Sequence, residues 1–340
     1  MKRWNYEKLS ALLTEESRMT ELSKVVVLAG GLSHERDVSL RSGRRVALAL
    51  RSRGIEVIEI DPDGSLLTTL LALSSESGVV LFPTLHGASG EDGSIRDVIE
   101  IVGLPYVGSR PEACRRAFNK PVAKGIIASS TTRVPRGVVL PHSTFRELGA
   151  ATLLEAIVKK FGLPLMVKPT KGGSSLGATL VKEMSNLPEA MIACFAYGND
   201  ALIEEGILGT EIAISVIDDG AGPRALPAVE IVPDSGFYSY DARYTAGLTE
   251  FFVPARIDDE LAKRAAIVAL EAHKRLGLRD ISRSDLIIDE HGEIWFLEVN
   301  LAPGMTETSL LPQSVEAAGL DISDVYLSLV ASALARSPLE

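Results

Sequence analysis

The chain has 340 residues, of which 46% are hydrophobic and 24% charged, a composition typical of a globular α/β protein rather than a disordered or fibrous one. That length exceeds one ordinary hydrophobic core, so we expect two or three domains. The net charge of -10 disfavours a nucleic-acid partner, because such binding needs a clustered basic face.

The chain opens with a segment that we interpret as an N-terminal extension, residues 1–23. Its beginning, MKRWNYEKLSALLTEESR, carries acidic residues where an export signal would be apolar. No apolar run in the chain approaches the roughly 18 residues that span a bilayer. Cys114 and Cys194 lie far apart, without the spacing of a metal site or a disulfide framework. These features predict a cytoplasmic protein with no membrane partner.

Residues 24–118 alternate short β-rich runs with helical patterns, as a parallel sheet with crossover helices requires. We expect a doubly wound domain here. The predicted strands are Lys24–Ala29, Ile55–Ile60 and Val79–Phe82, and the predicted helices include Val38–Arg53 and Ser94–Val102.

Two glycine-containing loops follow strands of this domain. The first, Gly30–Arg36, lacks the spacing of a dinucleotide fingerprint and could be a plain strand-to-helix turn. Its Glu35 and Arg36 are nevertheless suited to binding the ammonium and carboxylate of an amino acid. The second loop, His86–Gly93, carries three glycines and two acids at a strand's carboxyl end, where open sheets bind ligands. Together the loops predict a substrate site.

Residues 119–205 form a small second unit, after a helical stretch predicted over Pro111–Ser129. Its loop Lys168–Gly177 joins two strands, whereas a P-loop leads into a helix. Glycines, serine hydroxyls and a lysine can together cover and orient a polyphosphate, although a flexible structural hairpin is the alternative. The predicted strands are Pro164–Lys168, Ala178–Lys182 and Ala201–Glu205, and the predicted helices are Ala151–Phe161 and Leu187–Tyr197.

The segment Glu204–Glu211 places acids around a short apolar linker between the second and third units. Carboxylates suit the exocyclic amine or the ribose hydroxyls of a nucleotide, because these groups are hydrogen-bond donors. Solvated surface acids explain the segment equally well when it is taken alone.

Residues 206–340 contain a strand Glu211–Ile217, a long loop from Val232 to Leu248, a long helix Asp258–Leu276 and a hairpin, Ile281–Asp289 with Glu293–Asn300. The alternation of strand side chains brings Asp285, Glu298 and Asn300 onto one face at the open end of the hairpin, near Arg283. Three oxygen ligands there suit Mg²⁺, which is typically held by one or two carboxylates and substrate phosphates. An ordinary salt bridge is the alternative. The following turn, Pro303–Thr306, exposes N–H groups that could meet an oxyanion.

Taken together, these segments resemble the ATP-grasp superfamily, and specifically the D-alanine–D-alanine ligases. The matching stretches are VVVLAGGLSHERDVSLRSG, FPTLHGASGEDGSI, GLPYVGS, VKPTKGGSSLG, FYSYDARYTAG and FLEVNLAPGMTETSLLP. They extend from about residue 24 to 335 in the order of the family. The resemblance implies a three-domain α/β architecture in which ATP lies between the central and C-terminal domains.

The resemblance also implies roles for individual residues. ATP would be bound by Lys120, Lys168, Ser174, Ser175, Glu204, Glu205, Ile207, Glu211 and Leu297. Two Mg²⁺ ions, with Mn²⁺ as a substitute, would be bound by Asp285, Glu298 and Asn300. The catalytic set would be Glu35, Ser174, Tyr244, Arg283, Gly304 and Ser309, and the substrates would also contact His86 and Leu310.

The activity implied is ATP-dependent joining of two D-alanines through a D-alanyl phosphate, for peptidoglycan precursors, by a homodimer. A ligase that accepts D-serine, D-lactate or another amino acid second is the main alternative, and Tyr244 favours an amine acceptor. A non-catalytic nucleotide sensor and a doubly wound dehydrogenase are the alternatives from other classes. Three departures from the family pattern bear on efficiency and acceptor choice: Asn119 for aspartate, Arg243 for lysine, and Leu301–Ala302 for a pair containing threonine.

Overall fold

The computed structural model describes residues 22–128, 132–245 and 247–336. The predicted extension therefore lies almost wholly outside the described residues, as does Ser129 at the end of a predicted helix. In the described part of the chain, no single helix is both long and apolar enough to cross a membrane, and only a pair of helices bent by 104°, Leu310–Ala317 with Ile322–Ala335, meets those criteria jointly.

The first unit is a parallel sheet with strand order β2-β1-β3 and helices on both faces. Val25 and Val27 of the central strand point to one core and Val26 and Leu28 to another, so both faces are buried. The doubly wound prediction is confirmed, with element ends within two residues of those predicted. The strands are β1 Lys24–Leu28, β2 Val57–Ile60 and β3 Val79–Pro83, and the helices are α1 Arg36–Ser52, α2 Leu66–Leu73, α3 Ala88–Glu91, α4 Ser94–Val102 and α5 Pro111–Phe118.

The second unit is an antiparallel sheet with order β4-β7-β5-β6. Strand β4, which the sequence analysis missed, lies at the edge of the sheet and ends at Pro141, a residue that a central strand would not accommodate. The strands are β4 Gly137–Pro141, β5 Leu165–Pro169, β6 Thr179–Val181 and β7 Asp200–Glu205, and the helices are α6 Lys120–Ile127, α7 His142–Leu148, α8 Ala150–Phe161 and α9 Leu187–Phe195.

The single helical stretch predicted over Pro111–Ser129 is two helices in the structure. The break is at Asn119, whose backbone is extended and whose side chain accepts a hydrogen bond from Val122 N. Pro121 follows within the first turn of α6, where its missing N–H costs nothing. Asn119 therefore caps α6 and starts it at Lys120.

The third unit is a larger antiparallel sheet with order β11-β10-β8-β12-β13, and β9 pairs with β8. Ala265, Ala269 and Ala272 form the buried face of the long helix, which packs on this sheet. The predicted loop from Val232 to Leu248 contains a short helix and is flanked by β10 and β11. The strands are β8 Thr210–Ile217, β9 Arg224–Ala225, β10 Val229–Pro233, β11 Thr249–Phe252, β12 Ile281–Ile288 and β13 Ile294–Asn300, and the helices are α10 Tyr240–Tyr244, α11 Asp259–Arg275, α12 Leu310–Ala317 and α13 Ile322–Ala335.

The last helix, α13, packs on the first unit. Its Tyr326 and Leu329 share a core with Val25 and Phe82 of the parallel sheet. The predicted domain boundaries remain a prediction, but the C-terminal segment clearly closes the core of the first unit. This packing brings the loops after β1 and β3 next to the turn that follows β13.

Candidate active site

A cavity of about 930 Å³ lies between the second and third sheets. Most of the predicted nucleotide ligands line it, together with two of the predicted metal ligands. Among the residues that line it are Lys120, Lys168, Ser175, Ile207, Glu211, Leu297, Asp285 and Glu298. Met166, Leu180 and Ile287 add apolar surface that the sequence analysis did not single out. A mixed apolar and cationic lining suits a nucleotide base joined to phosphates.

The predicted flap joins β5 to β6 and covers the cavity. Ser174 and Ser175 have positive φ angles of 51° and 56°, a strained conformation for residues other than glycine. The Ser174 hydroxyl donates a hydrogen bond to Glu35 Oε1. The Ser175 hydroxyl donates to Tyr238 O at 3.0 Å and accepts from Arg243 Nε at 3.2 Å. One flap therefore contacts both the first and the third units.

The hairpin β12–β13 places four predicted residues on one face, as the sequence analysis expected. Arg283 pairs across the strands with Asn300, and Asp285 pairs with Glu298. The register shifts just after Asp285, a β-bulge of the kind that often re-aims side chains at active sites.

Cations surround the two carboxylates of this hairpin. Arg283 donates to both oxygens of Asp285, at 2.7 and 2.9 Å, and Lys120 Nζ lies 3.4 Å from Glu298 Oε2. Burial alone would raise the pKa of Glu298, but the charges of Lys120, Lys168, Arg243 and Arg283 outweigh it and lower that pKa to about 2. The Glu298 carboxylate is therefore available as an anionic ligand at neutral pH.

The donor set fits a hard divalent cation. Asp285, Glu298 and Asn300 offer oxygen atoms only, and Asn300 Oδ1 already accepts a bond from Ala302 N at 3.0 Å. Within the described residues, no group of three His, Cys, Asp or Glu side chains is arranged to hold a metal without further ligands. Such an incomplete set matches Mg²⁺ bound jointly by protein and phosphate oxygens.

The two loops of the first unit meet, as predicted. Ser33 Oγ donates to His86 O at 2.7 Å, and His86 Nε2 lies 3.0 Å from Ser42 Oγ. Ser42 also accepts from Met305 N at 3.2 Å, which ties this unit to the turn after β13. Burial lowers the pKa of His86 to about 4, so the imidazole is neutral.

Two carboxyl groups share this loop region. Glu91 accepts a hydrogen bond from Gly87 N at 2.9 Å, and Glu35 binds the flap through Ser174. Burial, and then the charge of Glu35, raise the pKa of Glu91 to about 8. Glu91 is therefore mainly protonated at neutral pH.

A second cavity, of about 1440 Å³, adjoins the first and contains the remaining predicted substrate residues. Arg283, Gly304, Ser309 and Leu310 line it. The Ser309 hydroxyl accepts from Thr306 N at 3.0 Å. A Cβ atom on Gly304 would lie 2.7 Å from Ser309 Oγ, so a larger residue there would require the Ser309 hydroxyl to move. Tyr238 and Arg243 line both cavities.

Glu204 and Glu205 are two of the three predicted nucleotide ligands that do not line the first cavity. The Glu204 carboxylate is buried between Lys124 and Lys168, and the Glu205 carboxylate pairs with the exposed Arg136. Both carboxylates are thus paired within the protein, and the prediction that Glu204 and Glu205 lie around adenosine, where the linker backbone could also meet the purine edge, stays a prediction. Asn300 and Ser174 also lie outside the cavity lining, Ser174 because its hydroxyl is bonded to Glu35.

Two further residues complete the comparison with the sequence analysis. Tyr244 ends helix α10, and its side chain lies outside the described part of the structure. Lys124, which pairs with Glu204, was not singled out from the sequence, although its position four residues after Lys120 places both lysines on one side of α6. The free thiols of Cys114 and Cys194 are both buried.

Comparisons with known proteins agree with this geometry. The family described as "D-ala D-ala ligase C-terminus" matches residues 136–331. D-alanine–D-alanine ligases of Geotalea uraniireducens and Geobacter sulfurreducens are each 39% identical, over 91% and 92% of this chain and 95% and 94% of their own lengths. These matches cover the first unit as well as the other two.

Solved structures show the same fold. The D-alanine–D-alanine ligase of Bacillus anthracis complexed with ATP is 27% identical, with a TM-score of 0.76 over 92% of this chain and 97% of that chain. The VanG D-Ala:D-Ser ligase of Enterococcus faecalis is 28% identical, with a TM-score of 0.76 over 92% of this chain and 100% of that chain. The ATP-grasp architecture predicted from the sequence is thereby confirmed, and the chain belongs to the D-alanine–D-alanine ligase family.

Proposed function

We propose that this protein joins two D-alanines in an ATP-dependent reaction that passes through a D-alanyl phosphate and supplies the dipeptide for peptidoglycan precursors. The observation that carries the proposal is the pair of adjoining cavities with Arg243 and Tyr238 in both linings. One cavity has the lysines and flap suited to a nucleotide, and the other has the residues suited to two small amino acids. Membership of the ligase family supports this activity over a dehydrogenase or a nucleotide sensor.

ATP is proposed to occupy the first cavity. Lys120 donates to Gly172 O of the flap at 2.5 Å, so the lysine and the flap backbone form one side of the phosphate site. Lys168 supplies a second cation. Ile207 and Leu297 offer apolar surface to the base, and Glu211 is placed to accept from the ribose hydroxyls. Burial raises the pKa of Glu211 to about 7, although the charge of Arg243 opposes that shift.

Two Mg²⁺ ions are proposed to bind with the nucleotide, held by Asp285, Glu298 and Asn300. When bound, these ions neutralise the phosphate charge and polarise the γ-phosphoryl group toward attack. Arg283 donates to both oxygens of Asp285 and therefore lies directly beside the proposed metal ligands.

The first half-reaction activates a carboxylate, which is otherwise a poor acyl donor. The carboxylate oxygen of the first D-alanine attacks the γ-phosphorus, the bond to the ADP oxygen breaks, and D-alanyl phosphate forms. Glu35 is placed to hold the ammonium group of this substrate, while its bond to Ser174 keeps the flap closed. Closure excludes the water that would hydrolyse the acyl phosphate.

The second half-reaction forms the peptide bond. The amine of the second D-alanine attacks the acyl carbon, a tetrahedral oxyanion develops, and phosphate leaves as the amine loses its proton. The Arg283 guanidinium and the Gly304 N–H are proposed to stabilise that oxyanion. The second substrate's carboxylate is proposed to bind at Ser309 and Leu310, where helix α12 begins.

The test is phosphate release by the purified protein with Mg-ATP and D-alanine, with the product identified by mass. D-alanyl-D-alanine as the dominant product is the expected result. No phosphate release that depends on D-alanine would reject the ligase activity and favour the nucleotide sensor.

A mixed D-alanyl-D-X product is the second candidate. The VanG structure, a D-Ala:D-Ser ligase, has the same fold as this chain. The second cavity is large and carries hydroxyl groups, among them those of Thr245, Thr249 and Thr306. D-Serine and D-lactate offered in competition with D-alanine decide between the two acceptors. A major product that contains serine or lactate would identify D-serine or D-lactate as the second substrate, and the proposed mechanism would be unchanged.

We also propose that the protein acts as a homodimer in the cytoplasm, where ATP and free amino acids are available. Exposed apolar side chains on two helices of the first unit, Leu67, Leu71 and Ile101, support a partner surface there. Light scattering after size exclusion tests this, and a mass of one chain at micromolar concentration would reject the dimer.

A further inference from the structure

Three buried side chains, two lysines with a glutamate between them, lie beside the proposed nucleotide cavity. Burial, and then the charge of Lys168, lower the pKa of Lys124 to about 7, so this lysine is partly charged at neutral pH. Lys124 Nζ is paired with Glu204 Oε2, and Lys168 Nζ lies 3.0 Å from Glu204 Oε1. The side chains of Lys124 and Glu204 are 7% and 2% exposed, and that of Lys168 is 10% exposed. Burying charges costs free energy even when they are paired, so apolar side chains of similar volume would often fill this core at least as stably.

Only one of these three side chains reaches the cavity. Lys168 belongs to its lining, whereas Lys124 and Glu204 do not. Lys124 lies on α6 one turn after Lys120, a cavity residue that contacts the flap and Glu298. One helix therefore carries a lysine that faces the cavity and another lysine that stands behind it.

We propose that Lys124 is a positioning residue for Mg-ATP, acting on Lys168 through Glu204. The inference rests on the proposed function, because it takes the 930 Å³ cavity to be the nucleotide site. Lys124 occupies one oxygen of Glu204, which leaves the other oxygen to fix the direction of the Lys168 ammonium. When the Lys168 ammonium is held in that direction, it can still donate a hydrogen bond to a phosphate in the cavity.

Removing Lys124 would take away one of the two lysines that pair with the Glu204 carboxylate. A buried carboxylate with a single cation draws that cation to both of its oxygens, because an unpaired buried charge is strongly unfavourable. Lys168 would then be turned toward Glu204 and away from the cavity. The predicted consequence is weaker binding of Mg-ATP with little change for D-alanine, which binds in the other cavity.

The experiment compares Lys124→Met with the wild type and with Lys159→Met. Lys159 is exposed on α8 and lines neither cavity, so it is a matched loss of one lysine. The dissociation constant of Mg-ATP is measured by calorimetry without D-alanine, and the KM values of ATP and D-alanine are measured separately. For Lys124→Met we expect the ATP constants to rise roughly tenfold, as for loss of one charge-assisted hydrogen bond. The KM of D-alanine should stay within about twofold, a change no larger than that of a typical neutral surface substitution.

A purely structural role for Lys124 predicts a different pattern. It would lower the melting temperature and change both KM values together. Should Lys124→Met not fold, Lys124→Gln keeps a donor to Glu204 without the charge and must show the same selective loss. Lys124→Arg, which keeps the charge, should recover most of the ATP affinity.

A double-mutant cycle with Glu204→Gln tests the route of the effect. If Lys124 acts through Glu204, Lys124→Met should add less than about twofold to the ATP constants in the Glu204→Gln background. Full multiplication of the two effects would overturn the inference, as would normal Mg-ATP affinity in Lys124→Met. Failure of the wild type to bind Mg-ATP is a separate result, because it rejects the proposed function itself.

Discussion

Two buried glutamates at opposite sides of the site have opposite ionisation states. Glu91, in the loop after β3, has a pKa raised to about 8, first by burial and then by the neighbouring charge of Glu35. Glu298, on β13, has a pKa lowered to about 2, because four cations outweigh the effect of burial. Arg96 and Lys120 also act on Glu91, but their charges do not offset its burial.

The difference shows that the number of nearby cations, more than burial, sets the chemistry of each region. In the hairpin region the cations keep Glu298 charged, as the proposed metal binding requires. In the loop region Glu91 is mainly protonated, which reduces the negative charge that the proposed substrate ammonium would meet there. Perturbed groups of this kind mark functional sites more often than structural ones.

Among the substitutions considered, we expect Arg283→Ala to have the largest effect on the hairpin region. It leaves Asp285 without its bidentate partner and removes the proposed oxyanion donor, so kcat should fall by roughly 100- to 1000-fold. Initial-rate measurement of phosphate release at saturating ATP and D-alanine gives this value. Arg283→Lys is the matched control, since it keeps the charge but loses the paired N–H geometry. Turnover equal to that of the wild type in Arg283→Ala would remove Arg283 from the mechanism.

The sequence predicted most of the fold that positions these residues. Alternation of β-rich and helical patterns in the first unit, and the pairing of Asp285 with Glu298 across a hairpin, follow from local periodicity and are confirmed. Strands β4 and β9 to β11 and helices α2, α7, α12 and α13 were among the elements missed. Strand β4 is short and bordered by prolines, and α13 owes its place to packing on a sheet about 250 residues earlier in the chain.

The site was predictable where one segment carries the chemistry. The flap, the two loops and the hairpin were each identified from their own residues. The partners of Glu204 were not, because Lys124, Lys168 and Glu204 lie on three different elements that only the tertiary structure brings together. The protonation of Glu91 was equally inaccessible, since it depends on burial and on a carboxylate 56 positions earlier in the chain.

Ser174→Ala would loosen the flap that joins the two regions. It removes the hydroxyl that donates to Glu35, so the flap should close less often and ligation should slow about tenfold, as for loss of one hydrogen bond to a charged group. The ratio of dipeptide formed to ATP consumed should also fall, because water gains access to the acyl phosphate. Simultaneous assays of phosphate and dipeptide measure both effects. If the variant is slower but the ratio of dipeptide formed to ATP consumed is unchanged, the flap does not exclude water from the acyl phosphate.

Glu91→Gln would sharpen the comparison through its dependence on pH. The folded pKa of Glu91 is about 8, above the unfolded value of about 4.3, so the unfolded chain loses this proton first as pH rises. The wild type should therefore lose stability between about pH 5 and pH 8, and the glutamine variant should be spared that loss. Its melting temperature relative to that of the wild type should rise by roughly 10 °C over this range, because about three pH units at about 1.4 kcal/mol each amount to about 4 kcal/mol, at roughly 3 °C per kcal/mol. A difference in melting temperature that does not change with pH would mean that Glu91 is not the group that titrates over this range.

The smallest effect is expected at Arg243, which stands between the two cavities. Its guanidinium carbon lies 4.1 Å from the centre of the Tyr238 ring, and its Nε donates to Ser175 at 3.2 Å. A planar guanidinium can stack on the ring and bind the flap at once, whereas the lysine in Arg243→Lys can direct its ammonium to only one of them. The KM of ATP should therefore rise about threefold, which corresponds to a weak cation–π contact. Arg243→Met, which also removes the charge, should raise it further; equal effects of the two substitutions would mean that stacking and flap contact matter and the charge does not.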